Sequence, residues 1–423
     1  MTAFKSRPLG RRRVLKAAGA TAAASIVGAP AIVSGQSGTI KIGVPTIQSG
    51  RVALVGLTSV GGMRSVFDPV NEAGGINGRK IELVVRDSKG APQEAAKVTR
   101  DLINNDKCVI IMDAEASSGA FAVHEVIREI GVLCLHTNSE TSSLTADPKL
   151  HVPTAFRTAR QGIHDAIGGG DYAAKIAKAK NLKRWVTCSP DYAYGRSNTA
   201  EFMEYAKHFE PSITVVEESW PKLFQPDYTE VVTKVLNSKA DAMYSALWGG
   251  DLSAFIDQGN LYGLFDKMAS FMVNLGDYGV VDEVKQFPSG VYSGGRYNRT
   301  VPPTKENEDW YLAYVKNYKH KPTNWSWENA TAATFLVEAL KATNGDTDGK
   351  KLAAALKDMK IKSPWGTDNG TITMRGSDNT IINYIIGYGL SQSKEPYIQD
   401  FQSSAWGPIL ELEKEWKKKQ GYG

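Results

Sequence analysis

The sequence predicts an α/β protein built as two similar halves, each around a parallel sheet. From Ile40 to Gly119, short apolar runs alternate with helical patterns, and each run ends in a loop of Gly, Ser, Asp or Pro. A second series of the same kind begins at Lys183. Two such series imply two lobes that face one another.

The first series opens with IKIGVPTIQSG from Ile40, passes through NEAGGINGRKIELVVRDSKG from Asn71 and reaches CVIIMDAEASSG from Cys108. Ligands of parallel sheets sit outside the carboxyl ends of the strands. The loops at Ser49 to Arg51, Asp87 to Gly90 and Ala116 to Gly119 therefore share one rim. The buried run Ile130 to Thr137 ends in Asn138 to Ser143 and adds a fourth loop. Gly74, Gly75 and Gly78 supply positive-φ turns that end a helix and swing the chain into the next strand, which makes them scaffold.

In the second series, apolar runs at Lys183 to Ser189, Ile213 to Glu218, Ala242 to Leu247 and Phe271 to Leu275 read as strands. The loops Pro190 to Gly195, Trp248 to Asp251 and Gly276 to Tyr278 follow three of them. Beyond Val291 to Tyr297, helical patterns run over Lys305 to Tyr318 and Trp327 to Lys341, the second with Ser326 as cap, and a short one over Lys350 to Asp358. The run Thr367 to Gly376 reads as a hairpin turning at Asn369-Gly370, and Ile381 to Gly387 completes the β structure.

Composition narrows the function. With 423 residues, 42% hydrophobic and 22% charged, the chain is long enough for two or three cored domains. Residues 1–31 read as a separate cleavable export signal: Arg11-Arg12-Arg13-Val14-Leu15-Lys16, then small apolar residues, then Ala29-Pro30-Ala31. The paired arginines match the twin-arginine type. Cleavage after Ala31 removes six basic residues and no acids, taking the net charge from +5 to −1. The mature chain then lacks the basic footprint of a nucleic-acid binder. Lys417-Lys418-Lys419 reads as a solvated helix end. Cys108, Cys134 and Cys188 lie in or beside apolar runs and read as buried free thiols, with one disulfide and one thiol left over as the alternative, and they have no zinc spacing.

The stretches IKIGV at Ile40, Asn71 to Gly90, Ser117 to Gly119, FRT at Phe156, DYAYG at Asp191 and WGGD at Trp248 resemble the periplasmic solute-binding proteins of ABC importers, in particular the leucine/isoleucine/valine-binding type. The resemblance covers nearly all of the mature chain. It implies two Rossmann-like lobes with parallel central sheets, three crossover strands and one small molecule in the cleft between them. In that layout residues 38–158 and 296–360 form the first lobe, 159–295 and 361–400 the second, and 401–423 a C-terminal tail.

Ligand candidates follow from position on the rim. The helix opening at Ser117-Ser118-Gly119 presents free backbone N–H groups and a positive dipole end to a carboxylate, where simple N-capping is the plainer alternative. Asn138, Ser139 and Thr141 match a loop that contacts ligand in such proteins, though a polar turn accounts for them equally well. Tyr194 stands where the family places a second-lobe aromatic, against packing at a helix start. Trp248 can close over an apolar or aromatic ligand or sit in the core. Asp277 can meet a ligand cation or cap a helix, and Arg51 can meet a ligand acid or stay exposed.

Amino-acid-binding relatives hold the α-ammonium with an acid just after the first crossover, but here the chain reads Thr158-Ala159-Arg160-Gln161. An ammonium in a dry cleft without a counter-charge is costly. The expected ligand is therefore a carboxylate or amide lacking an α-amino group, with an aromatic body possible, rather than leucine. G-x-S-x-G and H-E-x-x-H are absent, and Asn344 to Lys350 lacks the spacing of a phosphate loop and reads as a surface turn. The six histidines show no ligand spacing, and only His136 lies near the rim. Trp310, Tyr314 and Tyr318 fall at helical spacing, which points to packing on a sheet rather than a sugar platform. The expectation is a monomeric, exported receptor without cofactor or catalysis that hands its solute to a membrane permease. A ligand sensor for a receptor and a periplasmic enzyme are the alternatives.

Overall fold

The computed structural model describes residues 38–423, and the expected export signal lies outside them. In the first lobe, β1 (Ile40–Thr46), β2 (Ile81–Asp87), β3 (Ile110–Asp113), β4 (Leu133–His136) and β5 (Ala155–Arg157) run parallel. In the second lobe, β6 (Arg184–Cys188), β7 (Thr214–Ser219), β8 (Ala242–Ser245), β9 (Ala269–Met272) and β10 (Tyr292–Gly294) do the same. Three more strands, β11 (Lys360–Lys362), β12 (Thr371–Arg375) and β13 (Thr380–Ile382), complete an eight-stranded first sheet of order β11-β12-β13-β5-β4-β3-β1-β2. The last two, β14 (Gly387–Ser391) and β15 (Ile398–Ser403), complete a seven-stranded second sheet of order β15-β14-β10-β9-β8-β6-β7.

The chain passes between the sheets over residues 158–161, 295–304 and 383–386. The third passage corrects the expected boundary at 361, because β11 to β13 belong to the first sheet. The helix Gly349–Leu356 that precedes them packs beside β4, and the next strands pair close to where it ends. Ile361, Ile372, Met374 and Ile381 then bury their side chains in the first-lobe core. Asn369 and Gly370, at φ 51° and 72°, do make a turn, but it joins β11 to β12 rather than two halves of residues 367–376.

Residues 401–423 are no tail either. The helix Trp406–Gln420 packs on the helix Gly162–Lys180, burying Trp406 and Trp416, and Trp406 Nε1 donates to the Tyr384 carbonyl at 2.7 Å. Lys417 is not simply solvated, since it pairs with Asp378 at 2.7 Å and Glu413 at 3.0 Å.

Small residues decide how the first-lobe helices meet. The helix Leu54–Glu72 passes the helix Asn324–Ala342 at Gly62, where a Cβ would lie 2.2 Å from the Ser326 carbonyl oxygen. The second helix is capped by Thr323, with Ser326 at the third helical position returning the bond, so the expected cap is displaced by three residues. The helix Lys305–Tyr318 lies on Leu54–Glu72 rather than on a sheet: Tyr314 Oη donates to the Thr58 carbonyl at 3.2 Å over the space left by Gly61.

Gly74, Gly75 and Gly78 take φ of 109°, 79° and 79°, as their turn role requires. Asn71 sews this turn to β2, its side chain exchanging two hydrogen bonds with the Ile81 backbone. The three cysteines are free and buried. Among the described residues no helix is long and apolar enough to cross a membrane.

Candidate ligand site between the lobes

A cavity lies between the lobes at the carboxyl ends of their strands, the place where ligands of parallel sheets bind. The first lobe contributes Val55 from the helix after β1, Ala116 and Ser117 after β3, Asn138 and Glu140 after β4, and Asn324 and Trp325 at the start of the helix Asn324–Ala342. The second lobe contributes Tyr192 and Tyr194 after β6, Trp248 and Gly249 after β8, and Asn274 and Asp277 after β9.

Ser117 opens the helix Ser117–Ile130 behind Ala116, an extended residue whose side chain gives no cap. The backbone N–H groups of residues 117–119 have no acceptor among the described residues and leave a donor-rich helix end. Ser117 Oγ accepts from Ser139 Oγ at 3.1 Å and keeps its own proton to donate. Asn138 is fixed from behind, donating to Ser59 Oγ at 3.0 Å and the Ala114 carbonyl at 3.1 Å and accepting from Asn329 Nδ2 at 2.8 Å.

Opposite stands an aromatic wall. Trp248 Nε1 donates to Tyr192 Oη at 2.8 Å, and Trp248 meets Trp325 of the other lobe edge to face, with ring centroids 5.8 Å apart. Asn274 Nδ2 donates to Tyr194 Oη at 3.2 Å and to the Leu247 carbonyl at 3.0 Å. Both phenol protons remain available to a ligand acceptor.

Among the described residues two carboxylates reach the cavity, and no arginine, lysine or histidine lines it. Glu140 accepts both guanidinium arms of Arg296, at 2.8 and 2.9 Å, and Asp165 stands 3.3 Å from the same guanidinium. Burial works against a buried arginine charge, yet these two carboxylates hold Arg296 protonated, its pKa well above the ordinary value. Asp277 accepts from Gly279 N at 2.8 Å and, across the cleft, from Asn324 N at 2.7 Å. Burial still pushes its pKa up to about 6, against the pull of those two N–H groups.

Of the residues singled out in the sequence, Ser117, Asn138, Tyr194, Trp248 and Asp277 line the cavity. Ser118, Gly119, Ser139 and Thr141 stand beside or behind it. A Cβ on Gly119 would lie 2.7 Å from Glu115 Oε2, so this glycine makes room for a buried acid. Ser139 backs Ser117, and the Thr141 carbonyl accepts from Arg157 at 2.8 Å. Arg51 is not in the wall. Its guanidinium donates across the mouth of the cleft to the Gln225 and Pro226 carbonyls of the second lobe, at 3.1 and 3.4 Å. His136 is held in the first-lobe core between Asp113 and His124.

Sequence reasoning passed over Glu140, Tyr192, Asn274, Asn324 and Trp325. Glu140 and Tyr192 sit in loops already singled out, so a residue-by-residue reading of those loops would have reached them. Nothing local marks Asn324 and Trp325, which arrive from a helix about two hundred residues further along the chain. No acid follows the first crossover, but two carboxylates from other loops, Glu140 and Asp277, face the cavity, whereas Arg160 turns away into the crossovers.

The chain matches the family model described as "Periplasmic binding protein" over residues 39–392. It is 26% identical over 390 residues to Leu/Ile/Val-binding protein homolog 4 of Brucella melitensis biotype 1, covering 86% of each chain. Its fold matches an ABC transporter solute-binding protein of Rhodopseudomonas palustris BisB5, solved with 3,4-dihydroxybenzoic acid, with a TM-score of 0.76 at 24% identity, covering 87% of this chain and 96% of that one. It also matches the closed Leu-, Ile-, Val-, Thr- and Ala-binding protein of Brucella ovis, with a TM-score of 0.71 at 20% identity and coverage of 87% and 94%. With two facing lobes, three passages between them and a cavity where the strand ends meet, the chain belongs to the periplasmic binding protein family, in the type I branch of the Leu/Ile/Val-binding proteins.

Proposed function

We propose that this protein captures a small solute outside the cytoplasm by closing its lobes and delivers it to the permease of an ABC importer. The observation that carries the reading is the cavity itself, whose walls come from both lobes and are complete only when the lobes meet. A ligand touching one lobe gains its remaining contacts on closure, and that difference in affinity shifts the population to the closed form. Residues 1–31 would direct export as a twin-arginine signal. Family and relatives are substrate-binding proteins, and the cavity residues are assigned roles in holding a ligand rather than in catalysis.

The proposed ligand is a carboxylate or amide without an α-amino group. Its acceptor end would meet the N–H groups of residues 117–119 and the Ser117 hydroxyl, with Ser118, Gly119, Ser139 and Thr141 shaping that corner. Its body would lie among Tyr192, Tyr194, Trp248 and Trp325. The acids of the cavity support this reading, because Glu140 is already neutralised by Arg296 and both Asp277 oxygens already accept N–H groups. The solved relative with 3,4-dihydroxybenzoic acid agrees with an aromatic acid, and the Leu/Ile/Val-binding relatives with an amino acid.

Mass spectrometry of small molecules released by denaturing the purified protein identifies the ligand, and calorimetry with benzoate, benzamide and leucine ranks the classes. Binding of benzoate or benzamide over leucine is expected. Tight binding of leucine alone would overturn the ligand class and leave capture standing, whereas turnover of any tight ligand would overturn the reading as a pure receptor.

A further inference from the structure

Arg160 occupies the place where the resemblance led us to expect an acid, and its guanidinium is committed elsewhere. Arg160 lies in the first passage between the lobes. Its Nη2 donates to the Gly295 carbonyl of the second passage at 2.7 Å, and its Nη1 to the Ile385 carbonyl of the third at 3.0 Å. The guanidinium lies over Trp327 and Tyr384, 5.1 and 5.5 Å from their ring centroids. Only 4% of the residue is exposed. Nε donates to Asn324 Oδ1 at 3.1 Å, and Asp165 Oδ1 stands 3.3 Å from Nη1.

We propose that Arg160 is the positioning residue of the hinge: it ties the three passages into one joint and couples that joint to the cavity through Asn324. Asn324 is the shared element. Its backbone N–H donates to Asp277 of the opposite lobe, its side-chain oxygen accepts from Arg160 Nε, and it lines the cavity. The planar fork of an arginine serves two carbonyls and an amide oxygen at fixed angles, which the point charge of lysine does not. Asp165 lies near Arg160 and Arg296 alike, while Glu140 pairs with Arg296. Two buried guanidinium groups therefore face two carboxylates. Glu328 accepts the Arg160 backbone N–H at 2.9 Å, and burial pushes its pKa well above the ordinary range.

The inference rests on the lobe-closure reading, and the test separates the two. Spin labels on Leu312→Cys in the first lobe and Leu261→Cys in the second, both exposed positions, report the distance between lobes by pulsed electron resonance. The unaltered hinge is expected to give separate open and closed distances, with benzoate as probe raising the closed share. Arg160→Lys is expected to broaden each distance about twofold, because the passages then turn independently. Asn324→Ala, which leaves Arg160 in place, is expected to keep narrow distances while reducing the closed share. Lower thermal stability of Arg160→Lys with unchanged distances and populations would overturn the proposal and leave lobe closure intact. If Arg160→Lys does not fold, Asn324→Ala decides, and an unchanged closed share overturns the coupling. A single distance in the parent protein, with and without benzoate, would overturn closure and the hinge role together.

Discussion

The first-lobe wall of the cavity is mainly polar and pinned from behind, whereas the second-lobe wall is mainly aromatic and joined along its edge by single hydrogen bonds. Asn138 makes four side-chain hydrogen bonds within its own lobe, and Ser117 sits at a helix end whose direction the sheet determines. Tyr192 and Trp248 hold each other through one bond, and Tyr194 leans on Asn274. A preorganised polar wall recognises a ligand's head group at little cost in reordering. An aromatic wall that arrives with closure contributes area and excludes water. On the proposed reading, the head group would meet the first lobe first and the body would be enclosed second.

Three measurements break or sharpen that contrast. The largest effect is expected from Trp248→Ala, which removes a ring from both the wall and the contact with Trp325. Calorimetry should show ligand affinity falling by about 2–4 kcal/mol, with most of the change in the dissociation rate. A loss smaller than that from Ser117→Ala would reverse the assignment of the two walls.

The next effect is one of pH. Asp277 has a pKa of about 6 in the closed form, above its ordinary 3.8. A carboxyl whose pKa rises on burial opposes closure while charged, and the opposition fades as pH falls through about 6. When the lobes part and water reaches Asp277, its pKa returns towards the ordinary value, so closure takes up a proton. Ligand affinity should therefore rise by roughly tenfold between pH 7 and pH 5 in stopped-flow or calorimetric titrations. Asp277→Asn should flatten the profile. Affinity that falls over this window would show that the charged carboxylate favours the closed state.

The smallest effect is expected from Ser117→Ala, which removes one hydroxyl from a corner still served by backbone N–H groups. A loss of about 1 kcal/mol in affinity for benzoate, with little change in melting temperature, is the expected outcome. An unchanged affinity would move the head group away from this helix end.

Much of this architecture is legible along the chain. The run Asn71 to Gly90 announces its turn and strand because glycine at positive φ and an asparagine bonded to Ile81 are local requirements. The rim loops Ala116 to Gly119, Asn138 to Ser143, Pro190 to Gly195 and Trp248 to Asp251 are legible for the same reason, since a strand followed by a helix places the loop between them at the strand's carboxyl end. The sheet that receives β11 to β13 is not legible, because a short apolar strand pairs with whatever edge its neighbours bring near. Nor is the fate of a charge: Arg51 and Arg160 look alike as letters, yet one crosses the mouth of the cleft and the other joins the three passages between the lobes.

The sequence by itself determined the alternation of strands and helices, the tight turns and the loops that reach the rim, because these depend on side-chain periodicity and backbone freedom over a few residues. Only the tertiary structure decided that Asn324 and Trp325 complete the cavity, that Arg296 neutralises Glu140, and that Arg160 belongs to the passages between the lobes. Those outcomes depend on which groups are buried beside one another. Burial, by removing water, turns a distant pair of letters into a strong interaction.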